Sequence, residues 1–289
     1  MTGLKSNQLF IVRTQDGNLH TGTLNGTTAP SAGLSIIEVA EDAQHMVALR
    51  RSSIVAFGET SRRFWERFSG EVSASVVQAK GNDSIQYSIG SQIAYRRERW
   101  GVQTDFNSNL SSSSGSTASS RNQLSLTGYH FLRSGNWFYA GVGNMLQSTV
   151  QQIAAQGNVG GGIGVFLKNT NGMRFSVLGG LVWQAADYTV ANFPAGTQHV
   201  AAGLVAADLS VFKFKKTNLS IRTSLFPAVS NPDRGRIYFD TNASYYLKII
   251  GNLSWTLSFY GNWDNRPPSH LSGSDYGTSS GLSWTFGAK

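Results

Sequence analysis

The chain predicts an all-β protein: an antiparallel transmembrane β-barrel of about twelve strands, preceded by a small N-terminal β domain. Three observations predict it. After Phe68, apolar residues take alternate positions in segment after segment, at a spacing of about 18 residues, which suits a membrane strand of roughly ten residues and its connection. The polar positions between them are Ser, Thr, Asn, Gln and Gly, and charged residues are only 14% of the chain. A soluble protein normally carries charge on its outer face, whereas a membrane barrel turns an uncharged polar face inward. Finally, the connections alternate between short and long, as an up-and-down barrel with tight turns at one end and loops at the other requires.

The N-terminal domain is read over residues 1–57. Asp16-Gly17 sits between two alternating runs within Ile11 to Leu24, which is a hairpin signal. "LSIIEVA", "QHMVALR" and "SSIVAF" continue as short strands, so about five strands fit. Residues 58–68, "GETSRRFWERF", read as a short helical or irregular connector.

The barrel is read over residues 69–289, with strands near 69–80, 84–96, 99–111, 120–132, 136–150, 157–168, 172–186, 197–213, 216–229, 234–249, 251–264 and 275–287. In "NLSWTLSFYGNWD", Leu253, Trp255, Leu257, Phe259 and Trp263 share one face, opposite Ser254, Thr256, Ser258, Tyr260 and Asn262. The short connections are "RRER", "RSGN", "KNTNG", "KFKKTN" and "IIGN"; "STVQQIAAQG", "DYTVANFPAGTQ" and "NRPPSHLSGSD" are among the long ones. "KGND" is short where a loop is expected. Gly160, Gly162 and Gly164 alternate with apolar neighbours, so they face inward, where they make room for larger side chains or let the wall bend. Aromatic residues gather near strand ends: Tyr95 and Trp100, Phe131 and Trp137, Trp183 and Tyr188, Trp263, and Trp284. Tyr95, Trp100, Trp137, Trp183, Trp263 and Trp284 are the candidates for membrane-interface girdles.

"GEVSASVVQAKGNDSIQYSIGSQIAYRRERW", then "YHFLRSGNWFYAGVGNML", then "GNVGGGIGVFLKNTNGMRFSVLGGLVW" follow one another in an order that resembles a family of outer-membrane barrels of unknown function, described as salt-induced outer membrane proteins. The resemblance covers about three quarters of the chain and implies an outer-membrane location in a Gram-negative-type bacterium. Residues 1–57 are similar to the small Sm-like β unit that precedes some of these barrels, which places them in the periplasm. Phe286 is followed by Gly287-Ala288-Lys289, whereas many such barrels end on an aromatic residue. The family brings no activity with it.

No apolar run reaches the length of a membrane helix. The start, Met1 to Lys5, is not a signal peptide, so an exported form is expected to be a mature chain behind an added Met or to leave by another route. There is no cysteine, which removes disulfides, thiolate metal sites and a cysteine nucleophile. The five histidines, His20, His45, His130, His199 and His270, are far apart and show no metal spacing. No nucleophile elbow flanks His130. The expectation is a protein that is not an enzyme and has no cofactor or metal.

The net charge of +8 comes from dispersed basic residues. Arg96, Arg97, Arg99, Lys213, Lys215 and Lys216, with Arg133, Lys168 and Lys248, fall at the short-turn end as a periplasmic rim that is solvated or touches anionic headgroups. Aromatics follow the barrel period and not a basic patch, so nucleic acid is not expected. The expected partners are the lipid bilayer and, through residues 1–57, a second copy or a periplasmic protein. Asp105, Asp208, Arg222, Asp240 and Asp264 fall on inward faces, where they either pair with one another or line a pore. Twelve strands lie between packed eight-strand barrels and open sixteen-strand porins. Two functions are therefore carried forward: a channel for ions or small solutes, favoured by an open polar lumen, and a non-conducting protein that anchors its N-terminal domain, favoured by a filled one.

Overall fold

The computed structural model describes residues 5–25, 36–41, 44–60, 64–79, 84–97, 99–112, 118–132, 136–170, 172–189, 198–213, 217–231, 233–267 and 272–287. The N-terminal sheet has five strands: β1 (Lys5–Thr14), β2 (Leu19–Asn25), β3 (Ile36–Ala40), β4 (Met46–Arg50) and β5 (Ile54–Thr60). Their order is β4-β3-β2-β1-β5. The β1–β2 turn forms at Asp16-Gly17, where Gly17 takes a φ of 87° that glycine adopts without strain. Val12, Leu24, Val39, Leu49 and Ile54 alternate inward and form its core. Burying each such aliphatic side chain contributes roughly 1.5–3 kcal/mol.

Of residues 58–68, strand β5 takes those up to Thr60, and a 3-10 turn occupies Trp65–Arg67. The barrel then runs through β6 (Phe68–Ala79), β7 (Ser84–Arg96), β8 (Trp100–Ser112), β9 (Ser119–Phe131), β10 (Trp137–Ser148) and β11 (Ile153–Asn169). It continues through β12 (Met173–Tyr188), β13 (Gln198–Lys213), β14 (Thr217–Pro227), β15 (Ile237–Ile250), β16 (Leu253–Asp264) and β17 (Ser274–Phe286). These twelve antiparallel strands close, β17 pairing with β6. No described helix is long and apolar enough to cross a membrane.

Closure gives every barrel strand a partner on both sides, as a membrane interior demands; at the seam, β17 pairs with β6 over Leu282–Phe286 and Gly70–Ala74. The outward face is apolar: Val76, Ile89, Leu126, Val159, Leu181, Val205 and Leu257 are all exposed there. The ten residue steps from Leu253 to Trp263 rise roughly 33 Å along the strand, or about 25 Å of depth at the usual tilt, the height of an outer-membrane apolar band.

One long loop is absent. "STVQQIAAQG" is mostly strand: β10 ends at Ser148, β11 begins at Ile153, and residues 149–152 make a tight turn with Gln152 at φ 50°. Past a bulge between Ile153 and Ala155 the strand still turns Ile153 inward, where it packs on Leu146 and Tyr238, and this burial extends the strand past the expected loop. "KGND" lies outside the described residues.

Candidate functional site: a lumen crossed by side chains

Strand alternation aims Arg222 of β14 into the lumen. Its guanidinium reaches Asp208 of neighbouring β13 at 3.1 Å and Asp105 of β8 at 2.9 Å. In the ring of twelve, β8 and β14 are six places apart, directly opposite. A round barrel of twelve strands, 4.8 Å apart and tilted about 40°, would be roughly 24 Å across. An extended Arg and an Asp in contact span at most roughly 14 Å between their Cα atoms. The cross-section is therefore flattened, with β7–β10 and β13–β16 as facing walls.

Other contacts cross the same gap. Gln123 of β9 donates to Asp240 of β15 at 3.1 Å, again between opposite strands. Arg121 of β9 lies 3.4 Å from Asp275 of β17, donates to Asn262 of β16, and is only 3% exposed. Ser148 of β10 donates to Asp275 at 3.0 Å. Leu146, Ile153 and Tyr238 form an apolar cluster bridging the walls. Asp264 sits inward at the long-loop end, where Arg236 grips both its oxygens at 2.5–3.1 Å and also donates to Tyr188 at 2.6 Å.

A flattened ring needs two tight corners, and glycine makes them. A Cβ on Gly162 would lie 2.2 Å from the Gly179 carbonyl oxygen, and one on Gly180 would lie 2.3 Å from that of Gly161. Gly162 and Gly180 pair across β11 and β12. On the opposite side of the ring, between β17 and β6, a Cβ on Gly281 would lie 2.3 Å from the Ala74 oxygen. Gly164 has the other role expected of these residues: the Phe138 ring occupies the space of its Cβ.

The inward face is not uniformly polar. Val142, Leu178, Val182, Leu204 and Phe226 line it along β10 to β14. Phe131, Phe138 and Phe166 cluster inward near the short-turn end. Phe131 and Tyr188 are thus lumen residues and not girdle aromatics, because each is one position out of phase with its strand's outward set. Arg13 of β1 lies over the Phe131 and Phe166 rings at 4.8 and 4.5 Å from their centroids, so the N-terminal sheet reaches the barrel mouth at the short-turn end. Arg13 is 3% exposed. Nothing in the local pattern of "FIVRTQDG" distinguishes it from a solvated charge.

Of the girdle candidates, Trp100, Trp137, Trp183, Trp263 and Trp284 are exposed on the outer face. Tyr95 is covered: Phe64, Phe68 and Trp100 pack on it with centroids 4.9–5.4 Å away. Phe64 and Trp65 themselves are exposed, adding to the aromatic set at that end. Arg97, Arg99, Lys168 and Lys248 are exposed beside the short turns. Arg96 and Lys213 end their strands, while Lys215, Lys216 and Arg133 lie outside the described residues.

A closed antiparallel barrel with an apolar belt and a largely polar, inward network is an outer-membrane β-barrel. The chain belongs to the family described as "Protein of unknown function, DUF481", whose match spans residues 72–286. No curated protein matches it. Among solved structures it is similar to the translocator domain of the autotransporter NalP from Neisseria meningitidis, at 14% identity and a TM-score of 0.39, covering 76% of this chain and 88% of that one. It is also similar to a porin, at 8% identity and a TM-score of 0.36, covering 76% and 99%. A third likeness is to the outer membrane protease OmpT from Escherichia coli, at 10% identity and a TM-score of 0.26, covering 76% and 94%. Such distant likenesses carry no weight for activity.

Proposed function

We propose that this protein is a non-conducting outer-membrane barrel that holds its N-terminal β domain at the periplasmic face. The observation that carries the reading is the Arg222–Asp105 contact between opposite strands. A standing pore would need those walls apart and their charges facing water. Support for the anchoring role comes from Arg13, which seats the N-terminal sheet on inward aromatics at the short-turn end. Short turns are the periplasmic end of such barrels, which supports a periplasmic place for the sheet. Its five antiparallel strands are compatible with an Sm-like unit, and β4 and β5 bound it on either side, where a second copy or a periplasmic protein could add a strand. The reading assigns no catalysis: His130 and His199 both point outward, and His199 stacks on Trp183.

Planar-bilayer recording tests this reading. Full-length protein, inserted and folded, should give no stepwise conductance. Steps from the full chain would establish a channel, and steps seen only after removal of residues 1–60 would make the N-terminal sheet a plug.

A further inference from the structure

The chain enters the barrel along the outside of its wall. Phe68, the first residue of β6, pairs with Tyr95 of β7, and both are in phase with the outward residues Val72, Val76, Ile89 and Ile93. Trp100 of β8 is outward as well. The 3-10 turn Trp65–Arg67 and its N-cap Phe64 pack on this outer set and not on the lumen. The Phe64 ring lies 5.2 Å from both Phe68 and Tyr95, and Trp65 stacks on Phe68 at 6.0 Å. Even so, Trp65 stays 79% exposed and Phe64 52%. Two large rings left open beside the lipid-facing surface, at the strand ends, stand where the headgroup region of a bilayer accommodates aromatic side chains.

Positive charge gathers at the same place, which is an independent indication. The Phe68–Tyr95 pair brings "RRFWERF" (Arg62 to Phe68) and "YRRERW" (Tyr95 to Trp100) to one end of the wall, and each segment carries three arginines and one glutamate. Arg67 donates to the Tyr95 hydroxyl at 3.4 Å, and the Arg97 guanidinium lies 5.8 Å from the Trp100 ring centroid. Arg97 and Arg99 are both exposed. Arginines rooted beside interfacial rings keep their stems on apolar surface and reach phosphate with their planar heads.

We propose that the Phe64–Arg67 turn is a membrane anchor that docks on anionic phospholipids in the leaflet at the short-turn end. Phe64 and Trp65 enter the headgroup region, while Arg67, Arg97 and Arg99 each meet headgroup phosphates of that leaflet. Lipid is the occupant because the aromatic surface continues the barrel's apolar belt, and a folded partner would first have to displace the lipid around β6 to β8. A zwitterionic leaflet would accept the rings but leave the excess of arginine unmatched, and each basic residue close to an anionic surface contributes about fivefold in binding. The anchor depends on the outward phase of β6 to β8 and holds whether or not the lumen conducts.

Fluorescence quenching in vesicles tests the proposal. The full chain is folded into bilayers containing either phosphatidylglycerol or phosphatidylcholine brominated near the headgroup, and the Trp65 signal is taken as the difference between the chain and Trp65→Phe. Both lipids should quench it, brominated phosphatidylglycerol at least about threefold more strongly. The Trp263 signal, taken in the same way at the opposite end of the barrel, should show no such preference. Arg97→Gln combined with Arg99→Gln should bring the Trp65 ratio close to one; if that variant does not fold, Arg67→Gln, expected to lower the ratio, decides. An unquenched Trp65, equal quenching by the two lipids, the same preference at Trp263, or a ratio unchanged in the folded variant would overturn the proposal. So would loss of the preference on adding millimolar glycerol phosphate, which would make the arginines a site for a free anion.

Discussion

At the scale of single residues, neighbouring glycines carry opposite loads. Gly180 faces the lumen at a corner where its Cβ would strike backbone, while Gly179 faces outward with nothing within 4 Å. Gly180→Ala should therefore destabilise the barrel by about 1–3 kcal/mol, as overpacking does. Gly179→Ala should change stability by less than about 0.5 kcal/mol. Urea unfolding in micelles followed by tryptophan fluorescence separates the two. In the β1–β2 turn, the Thr14 hydroxyl donates to Asp16 and holds its carboxyl below the ordinary value, against a smaller opposing effect of burial. A depressed carboxylate contributes stability that is present above its unfolded pKa and lost as pH falls through its folded pKa. Asp16→Asn should accordingly weaken the N-terminal sheet at neutral pH and make no difference in strong acid, as amide exchange of the β1–β2 strands would report. Much of this scale is legible in sequence: Leu124 and Leu126 set the outward phase of β9 and thereby place Arg121 inside. The partner of Arg121 is not legible, because Asp275 lies more than 150 residues away and meets it only across a flattened lumen.

At the scale of elements, the strands read well because the period of two is enforced twice, by lipid outside and by the network inside. The elements that misled are those whose ends are decided by packing. The β10–β11 connection reads as a loop because Ile153 is the single large apolar residue of "QQIAAQG", yet Ile153 is buried against Tyr238 and Gln156 is 1% exposed. The docking of β1 is equally hidden. A desolvated guanidinium over aromatic rings is worth about 2 kcal/mol. Arg13→Ala should therefore loosen the sheet from the barrel, with faster proteolytic cleavage between residues 58 and 68, while the apolar core around Val12 keeps the sheet itself folded. Unchanged cleavage would show that Arg13 does not hold the sheet.

At the scale of the whole molecule, the account rests on shape. Composition and alternation give a barrel and its strand number, but twelve strands enclose either a wide round lumen or a narrow flat one. The choice is made by corner glycines and by long-range charge pairing, which no local window displays. Gly160, Gly162 and Gly180 are visible as inward positions; that they bend the wall opposite Gly281 follows only from closure. Arg222→Met should cost the barrel about 2–3 kcal/mol, since Asp105 and Asp208 would lose their counter-charge, with partial exposure of 20% and 24% softening the penalty of full burial.

Because the chain has no cysteine, spin labels can be placed freely. The distance between labels at outward positions 104 and 223, beside Asp105 and Arg222, should be measured in micelles against that between positions 74 and 179 at the two corners. The flattened barrel requires the first to be shorter than the second by roughly 10 Å or more. Equal distances would mean a round barrel with its walls apart, and would contradict the closed lumen on which the account depends.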